Sequence, residues 1–127
     1  MCGTHGVEMA IRGTGIAFTF VQPSGFMSNA LFWAKAIQNQ RVVAACTGDG
    51  RIPFIHPRDI AEVTTEALIS DRYREEALPI TGPEALSYSE MAAKIGAAIG
   101  KIIRFESISE EEVRRVMMED GDSHPVI

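Results

Sequence analysis

A β-rich apolar run followed by a turn occupies Ile16-Ala17-Phe18-Thr19-Phe20-Val21-Gln22-Pro23-Ser24-Gly25. A run that is apolar at nearly every position is typical of a strand buried on both faces, as in a parallel sheet. A short helical pattern precedes the run and ends at Gly13 and Gly15, and a second one follows it from Phe26. We therefore expect residues 16–21 to form a buried strand between two helices.

Strand and helix patterns keep alternating after this run. Two Ser-x-x-Glu spacings, Ser87 to Glu90 and Ser109 to Glu112, are typical of capping boxes at helix starts. The alternation predicts an α/β fold with a mainly parallel sheet, in which Pro79 places its strand at an edge or a strand start. The predicted elements are helices over 7–11, 26–39, 57–70, 87–100 and 109–120, and strands over 41–45, 77–81 and 102–108.

Length and composition restrict the class of protein. The 127 residues carry 12 Lys plus Arg and 17 Asp plus Glu, for a net charge of −5, and 46% of them are hydrophobic. Such a chain is one domain, or a piece of one, with a packed core. The acidic balance without a basic run predicts neither nucleic acid nor an anionic membrane as a partner. No apolar stretch approaches the ~20 residues of a membrane helix, so we expect a cytoplasmic protein with Cys2 and Cys46 as free thiols.

Familiar catalytic motifs are missing from the sequence. Gly13-Thr14-Gly15 leads into a strand instead of from a strand to a helix, so it is not a dinucleotide-binding loop. The three histidines, His5, His56 and His124, are far apart, and no metal site is predicted. We interpret His56, which precedes Pro57, as a helix-start residue and not as a base. No catalytic residue is identified.

The segment Gln22–Asn29 is the most informative for function. It leaves the end of a buried strand and enters a helix, and ligands of open α/β sheets bind at the carboxyl ends of the strands. In that interpretation the amides around Ser24, Gly25 and Phe26 face a ligand, and Met27 and Trp33 belong with Phe26 to an apolar wall. In the alternative, the segment is a turn followed by core residues. Spacing alone favours neither.

Four pieces of the chain, in order, resemble the NmrA-like proteins, atypical short-chain dehydrogenase/reductases that bind NAD(P). Together they extend over nearly all of the sequence, and four matches in the family's order are fairly specific. The pieces are His5-Gly6-Val7-Glu8 with Ile11 to Phe20 and Pro23 to Asn29, then Gly48-Asp49-Gly50-Arg51, then Phe54 to Val63, and finally Thr81 to Tyr88.

This resemblance implies the C-terminal portion of a Rossmann-like, doubly wound, mainly parallel sheet plus a small substrate-side subdomain. It implies NADP or NAD as cofactor, without distinguishing them. It places Asp59 in a structural role at the start of a helix under the cleft and the Thr81-Gly82-Pro83 turn near the substrate side. The cofactor-binding residues that it implies are Pro23, Ser24, Gly25 and Phe26, and the substrate-binding residues are Met27, Asn29 and Trp33.

The chain also departs from the family pattern. Gln22 stands where the family commonly has Arg, and no counterpart of a Tyr-x-x-x-Lys pair is present. The strand, Gly-rich loop and helix that hold the cofactor phosphates are absent from the sequence. We therefore expect residues 1–127 to be a single partial domain, the C-terminal, substrate-side half of an NAD(P)-binding protein, with weak or no cofactor affinity on its own.

Three functions follow from these expectations. The first is a truncated NAD(P)-dependent oxidoreductase that transfers hydride to a small electrophile such as a quinone. The second is an inactive remnant, for which we expect self-association through an exposed sheet edge. The third is a non-enzymatic, redox-sensing or regulatory NmrA-like protein in which cofactor occupancy controls partner binding.

Overall fold

The computed structural model describes residues 3–112 and 114–115. Helices and strands alternate along most of this length, with two short 3-10 helices between them. In chain order the elements are α1 (Gly3–Arg12), β1 (Phe20–Pro23), a 3-10 helix (Met27–Trp33), α2 (Ala34–Gln40), β2 (Val42–Ala45), α3 (Pro57–Ile69), a 3-10 helix (Asp71–Tyr73), β3 (Ala77–Ile80), α4 (Tyr88–Ile99) and β4 (Arg104–Ser107).

The strands form two parallel pairs, β1 with β3 and β2 with β4. In the first pair Phe20 lies opposite Ala77, and in the second Val42 lies opposite Arg104. Partner strands are separated in sequence by helices, as the crossover of parallel strands requires. The predicted α/β fold with parallel strands is therefore confirmed.

The hydrophobic core is built on the β2–β4 pair. Val43 and Ala45, on one face of β2, are each only 1% exposed. Helices α2 and α4 cover them, and Trp33 meets Tyr88 edge to face, with ring centroids 5.1 Å apart. The members of the core are Trp33, Ile37, Val43, Ala45, Phe54, Tyr88, Met91 and Ala92.

The predicted strand over 16–21 is shorter and later than expected. Strand β1 begins at Phe20, and Ile16 is exposed. Its partner β3 cannot extend backward, because residues 71–73 form a 3-10 turn and Glu75 takes a positive φ of 65°. The Phe18 carbonyl still accepts from the Glu75 amide at 2.7 Å, but the regular parallel register starts only at Phe20 and Ala77, so the first four residues of the apolar run stay outside the strand.

Other predictions hold more closely. The predicted helix over 26–39 divides into a 3-10 segment and α2, whereas α3 and α4 begin and end near their predicted limits. Both capping boxes form: Glu90 N donates to Ser87 Oγ and Ser87 N to the Glu90 carboxylate, and Ser109 and Glu112 repeat the arrangement. The end of the helix predicted to reach residue 120 lies outside the described residues.

Cys46 is a free thiol, as predicted, whereas Cys2 lies outside the described residues. Among residues 3–112 and 114–115, no helix has both the length and the apolar character needed to cross a bilayer.

Candidate functional site

The loop that follows β1 lies at the carboxyl ends of the β1–β3 pair. The Ser24 amide donates to the carbonyl of Ile80 at 2.9 Å, so the loop leaves the sheet directly from the parallel ladder. The Ser24 hydroxyl donates to the carbonyl of Pro53. The amide of Ile55 donates to the carbonyl of Gly25 at 2.9 Å, so the segment 53–55 lines the loop.

Glycine allows three backbone segments to meet at this edge. A Cβ on Gly82 would lie 1.9 Å from the carbonyl oxygen of Phe54, and one on Gly25 would lie 2.8 Å from side-chain atoms of Ile52 and Phe54. The Gly82 amide also donates to the Pro53 carbonyl at 3.0 Å. Such close approach is open only to residues without a side chain, so these two glycines hold the loop in place.

The three loop amides that the sequence pointed to have different roles in the structure. That of Ser24 is used in the sheet. Within the part of the chain that the structure describes, the amides of Gly25 and Phe26 donate to no backbone or side-chain acceptor. Gly25 is half-buried and Phe26 is exposed, so their amides are the loop donors left for a ligand or water.

The apolar residues after the loop divide between surface and core. Phe26 and Met27 are 44% and 38% exposed, and the Met27 amide is held by the Ile55 carbonyl at 2.9 Å. Asn29 is half-buried, and its amide donates to the Phe26 carbonyl at 3.0 Å. Trp33 is only 7% exposed and belongs to the core. An open apolar wall in this structure therefore consists of Phe26 and Met27, and contact of Trp33 with a substrate stays a prediction.

Helix α1 packs on one face of β1 and the residues before it. The side-chain amide of Gln22 donates to both carboxylate oxygens of Glu8, at 2.9 and 3.0 Å. The Arg12 guanidinium lies 4.7 Å from the ring centroid of Phe18 and 5.1 Å from that of Phe20. Gln22, which stands where an Arg was expected from the resemblance, thus holds Glu8 by hydrogen bonds and not by an ion pair.

Helix α3 starts beside the same edge. His56 is its N-cap, and its Nδ1 accepts a hydrogen bond from the Arg58 amide at 3.1 Å, as the helix-start interpretation predicted. The carboxylate of Asp59 lies in the first turn, where it complements the helix dipole. Among the described residues no group of three His, Cys, Asp or Glu side chains is arranged to hold a metal ion.

Two parts of this edge were missed by sequence reasoning. The carbonyl of Pro53 accepts from both Ser24 and Gly82, and the backbone of Ile55 bridges to Phe26. Ile52-Pro53-Phe54-Ile55 is a short extended pattern in the sequence, but nothing in it indicates a partner. A bridge of this kind depends on which segments meet in space, and backbone groups leave no residue-type signal.

The chain matches no protein-family model. It is 38% identical over 110 residues to an NAD(P)H azoreductase of Xenophilus azovorans, a match covering 87% of this chain and 38% of that protein. It is 37% identical over 111 residues to (4-alkanoyl-5-oxo-2,5-dihydrofuran-3-yl)methyl phosphate reductase of Streptomyces griseus, covering 87% of this chain and 39% of that one. The chain thus spans about two fifths of the length of these curated relatives.

Solved structures agree with this similarity. An NADPH-dependent quinone oxidoreductase of Escherichia coli, solved with NADPH, superposes with a TM-score of 0.83 at 21% identity, covering 91% of this chain and 41% of that one. A triphenylmethane reductase of Citrobacter sp. gives a TM-score of 0.73 at 18% identity, with the same coverage of the two chains. The chain is thus similar in sequence to part of NAD(P)-dependent reductases, and it shares their Rossmann-like α/β fold.

Proposed function

We propose that this chain is the substrate-side part of an NAD(P)-dependent oxidoreductase of the NmrA-like type. The observation that carries the proposal is the loop at the carboxyl ends of β1 and β3, where the amides of Gly25 and Phe26 are free to donate. Ligands of open α/β sheets bind at this position. Sequence similarity to an azoreductase and to a phosphate-ester reductase supports the same chemistry.

The residues at the loop fit the nicotinamide end of NAD or NADP. A carboxamide offers a carbonyl oxygen to amide donors, and a flat ring packs well against an aromatic side chain. The amides of Gly25 and Phe26 provide the donors, the exposed ring of Phe26 provides the apolar surface, and Pro23 and Ser24 hold the loop on the sheet. Met27, Asn29 and Trp33 are the residues that we assign to the substrate side.

Reduction of a small electrophile, such as a quinone, is the reaction that we propose. When bound, the reduced nicotinamide supplies a hydride, and the protein supplies position and a water-poor surface. Phe26 and Met27 form an apolar patch beside the free amides, against which a conjugated acceptor can lie. The acceptor itself is not specified by these residues.

The 127 residues form one partial domain in this proposal. They include the loop for the nicotinamide end, and no Gly-rich phosphate loop is recognised in the sequence. Since much of the affinity for a dinucleotide comes from its pyrophosphate, we expect weak binding to this chain alone. Self-association through a free strand edge is part of the same proposal, because a sheet with unpaired edges pairs readily with another copy.

Amide NMR of the full chain tests the site. Titration with reduced nicotinamide mononucleotide is expected to shift the amides of Gly25 and Phe26, and NADPH is expected to bind no more than a few-fold more tightly. Phe26→Ala is expected to weaken mononucleotide binding about tenfold, as the loss of an aromatic platform implies. Leu31→Ala, which truncates another exposed apolar side chain, is the control and is expected to bind normally.

Different outcomes separate the alternatives. Shifts spread over the surface without the loop would contradict the site. A Kd for NADPH far below that for the mononucleotide would contradict the partial-domain proposal. Binding at the loop without NAD(P)H oxidation across a panel of quinones, by the chain joined to a complementary cofactor-binding half, would favour the redox-sensing alternative. A chain without a cooperative unfolding transition would favour the inactive remnant.

A further inference from the structure

Helix α1 runs antiparallel to β1, and its first turns lie toward the carboxyl end of that strand. Near its end, Arg12 contacts Phe18 and Phe20, which precede or begin the strand. One turn earlier, Glu8 contacts Gln22, near the end of the strand. Moving toward the start of α1 therefore means moving toward the loop that carries the candidate site.

The imidazole of His5 is on the same face of α1. At about 100° per residue, His5, Glu8 and Arg12 fall within an arc of about 60°. At about 1.5 Å per residue, His5 lies about 4.5 Å beyond Glu8 along the helix. Glu8 is level with Gln22, and the two strand residues that follow Gln22 span about 6.6 Å. His5 is therefore at the level of Pro23 and Ser24. Helical side chains also lean toward the N-terminus, which carries the imidazole further over the loop.

The side chain of His5 is exposed, and within residues 3–112 and 114–115 no hydrogen bond or ion pair engages it. His56 differs, because its ring is committed to capping α3. A histidine side chain without a structural partner, above a loop with two free amides, is available for a ligand.

We infer that His5 faces the reacting end of the bound nicotinamide and its acceptor, and that it supplies the proton of the reduction. This inference rests on the proposed function. A bound reduced nicotinamide would supply the hydride to the electrophilic atom of the acceptor. The imidazolium of His5 donates a ring N–H proton to the acceptor oxygen or nitrogen that receives the displaced electron pair, and the neutral imidazole then takes a proton from water.

Imidazole NMR of the full chain tests the placement. In the free protein we expect nuclear Overhauser contacts from the His5 ring to Ser24 or Gly25. On addition of reduced nicotinamide mononucleotide, the His5 ring resonances are expected to shift with the Gly25 and Phe26 amides, while those of His56 stay in place. Shifts at the loop without a shift at His5 would overturn this inference and leave the proposed function standing. Absence of shifts at both the loop amides and His5 would overturn this inference and the proposed function together.

Proton donation has its own test. Reduction of a quinone by the mononucleotide is measured above the rate without protein, in His5→Gln and in His56→Asn, whose side-chain oxygen preserves the cap of α3. The His5→Gln protein is expected to be at least about tenfold slower than the His56→Asn protein. Equal rates in the two variants contradict proton donation by His5.

Discussion

The two parallel strand pairs differ in what surrounds them. In β2 every second residue is buried, and Val43 and Ala45 are almost without solvent contact. In β1 and β3 no residue is fully buried, and one position of β3 is exposed. Strand β4 has three exposed residues and contributes only the partly buried Phe105, so the core rests on β2, whereas the β1–β3 pair holds the candidate site at its carboxyl end. The core and the candidate site thus lie on different parts of the sheet.

The free edges of the two pairs differ as well. The Ser24 amide donates to the Ile80 carbonyl. Alternate residues of β1 and β3 therefore use their backbone groups between the two strands, and the residues between them point their backbone groups away from the partner strand. Pro23 and Pro79 fall at outward positions, where a missing N–H removes a donor for an incoming strand. Strands β2 and β4 carry no proline. Edge pairing is therefore more strongly opposed at the site pair than at the core pair.

The largest effect is expected from adding a methyl group where the site segments meet. In Gly82→Ala the new Cβ would overlap the carbonyl of Phe54, and the backbone must move. We expect the free energy of unfolding to fall by about 3 kcal/mol, measured by urea denaturation. Gly6→Ala is the control, because nothing lies within 4 Å of its Cβ and a helical position favours Ala. A neutral Gly82→Ala would show that the segments do not touch.

Truncation of one valine in each pair compares their packing directly. Val43→Ala removes a side chain that is only 1% exposed, and we expect a loss of about 2 kcal/mol in the free energy of unfolding. Val21→Ala removes a half-buried side chain of β1, with an expected loss of about 1 kcal/mol. Equal losses in denaturation experiments would mean that the site pair is as well covered as the core pair.

Low pH is expected to lower the stability of the fold through Glu90, in the capping box at the start of α4. The backbone N–H of Ser87 lowers the pKa of this carboxyl below its ordinary 4.5, and Arg51 adds to the effect. A lowered pKa in the folded state means that folding favours the ionised form, so the contribution is present above about pH 4.5 and is lost as pH falls further. In Glu90→Gln the unfolding midpoint should depend less on pH below 4.5 than in Glu62→Gln, an exposed control on α3.

The smallest effect is expected at the blocked edge. Pro79→Thr restores an outward N–H on β3 and leaves the bonds to β1 intact. We expect little change in unfolding free energy but more self-association with rising concentration, measured by sedimentation velocity. Ala77→Thr adds the same side chain at the neighbouring outward position without adding an N–H, and serves as the control. Unchanged association in both variants would show that the proline does not protect this edge.

Much of the local structure was predictable because its signals are local. The starts of α3 and α4 depend on His56-Pro57 and on the Ser87–Glu90 spacing, which act within one helical turn. The positions of β2, β3 and β4 followed from short apolar runs between turns. The loop at Pro23–Phe26 was also located, because Pro-Ser-Gly between a strand pattern and a helical pattern indicates a turn.

Longer-range features were not predictable in the same way. Strand β1 begins at Phe20 and not at Ile16, because the regular register with β3 starts at Ala77, after the positive φ of Glu75. Trp33, which the resemblance implies as a substrate-binding residue, is only 7% exposed and packs edge to face against Tyr88 in the core, and its contact with a substrate stays a prediction. Both outcomes depend on a partner more than forty positions away in the chain, and no local pattern contains it.

Residue types determine the order of helices and strands, their caps and the loop after β1, because propensity, capping and apolar period act over a few neighbouring residues. The packing of distant segments determines which amides of that loop remain free and which strands pair. It also determines where His5 lies relative to Ser24. Backbone hydrogen bonds and close contacts form only when those segments meet. That is why the contacts of Gly82 and Pro53 with the loop became visible only in the folded chain.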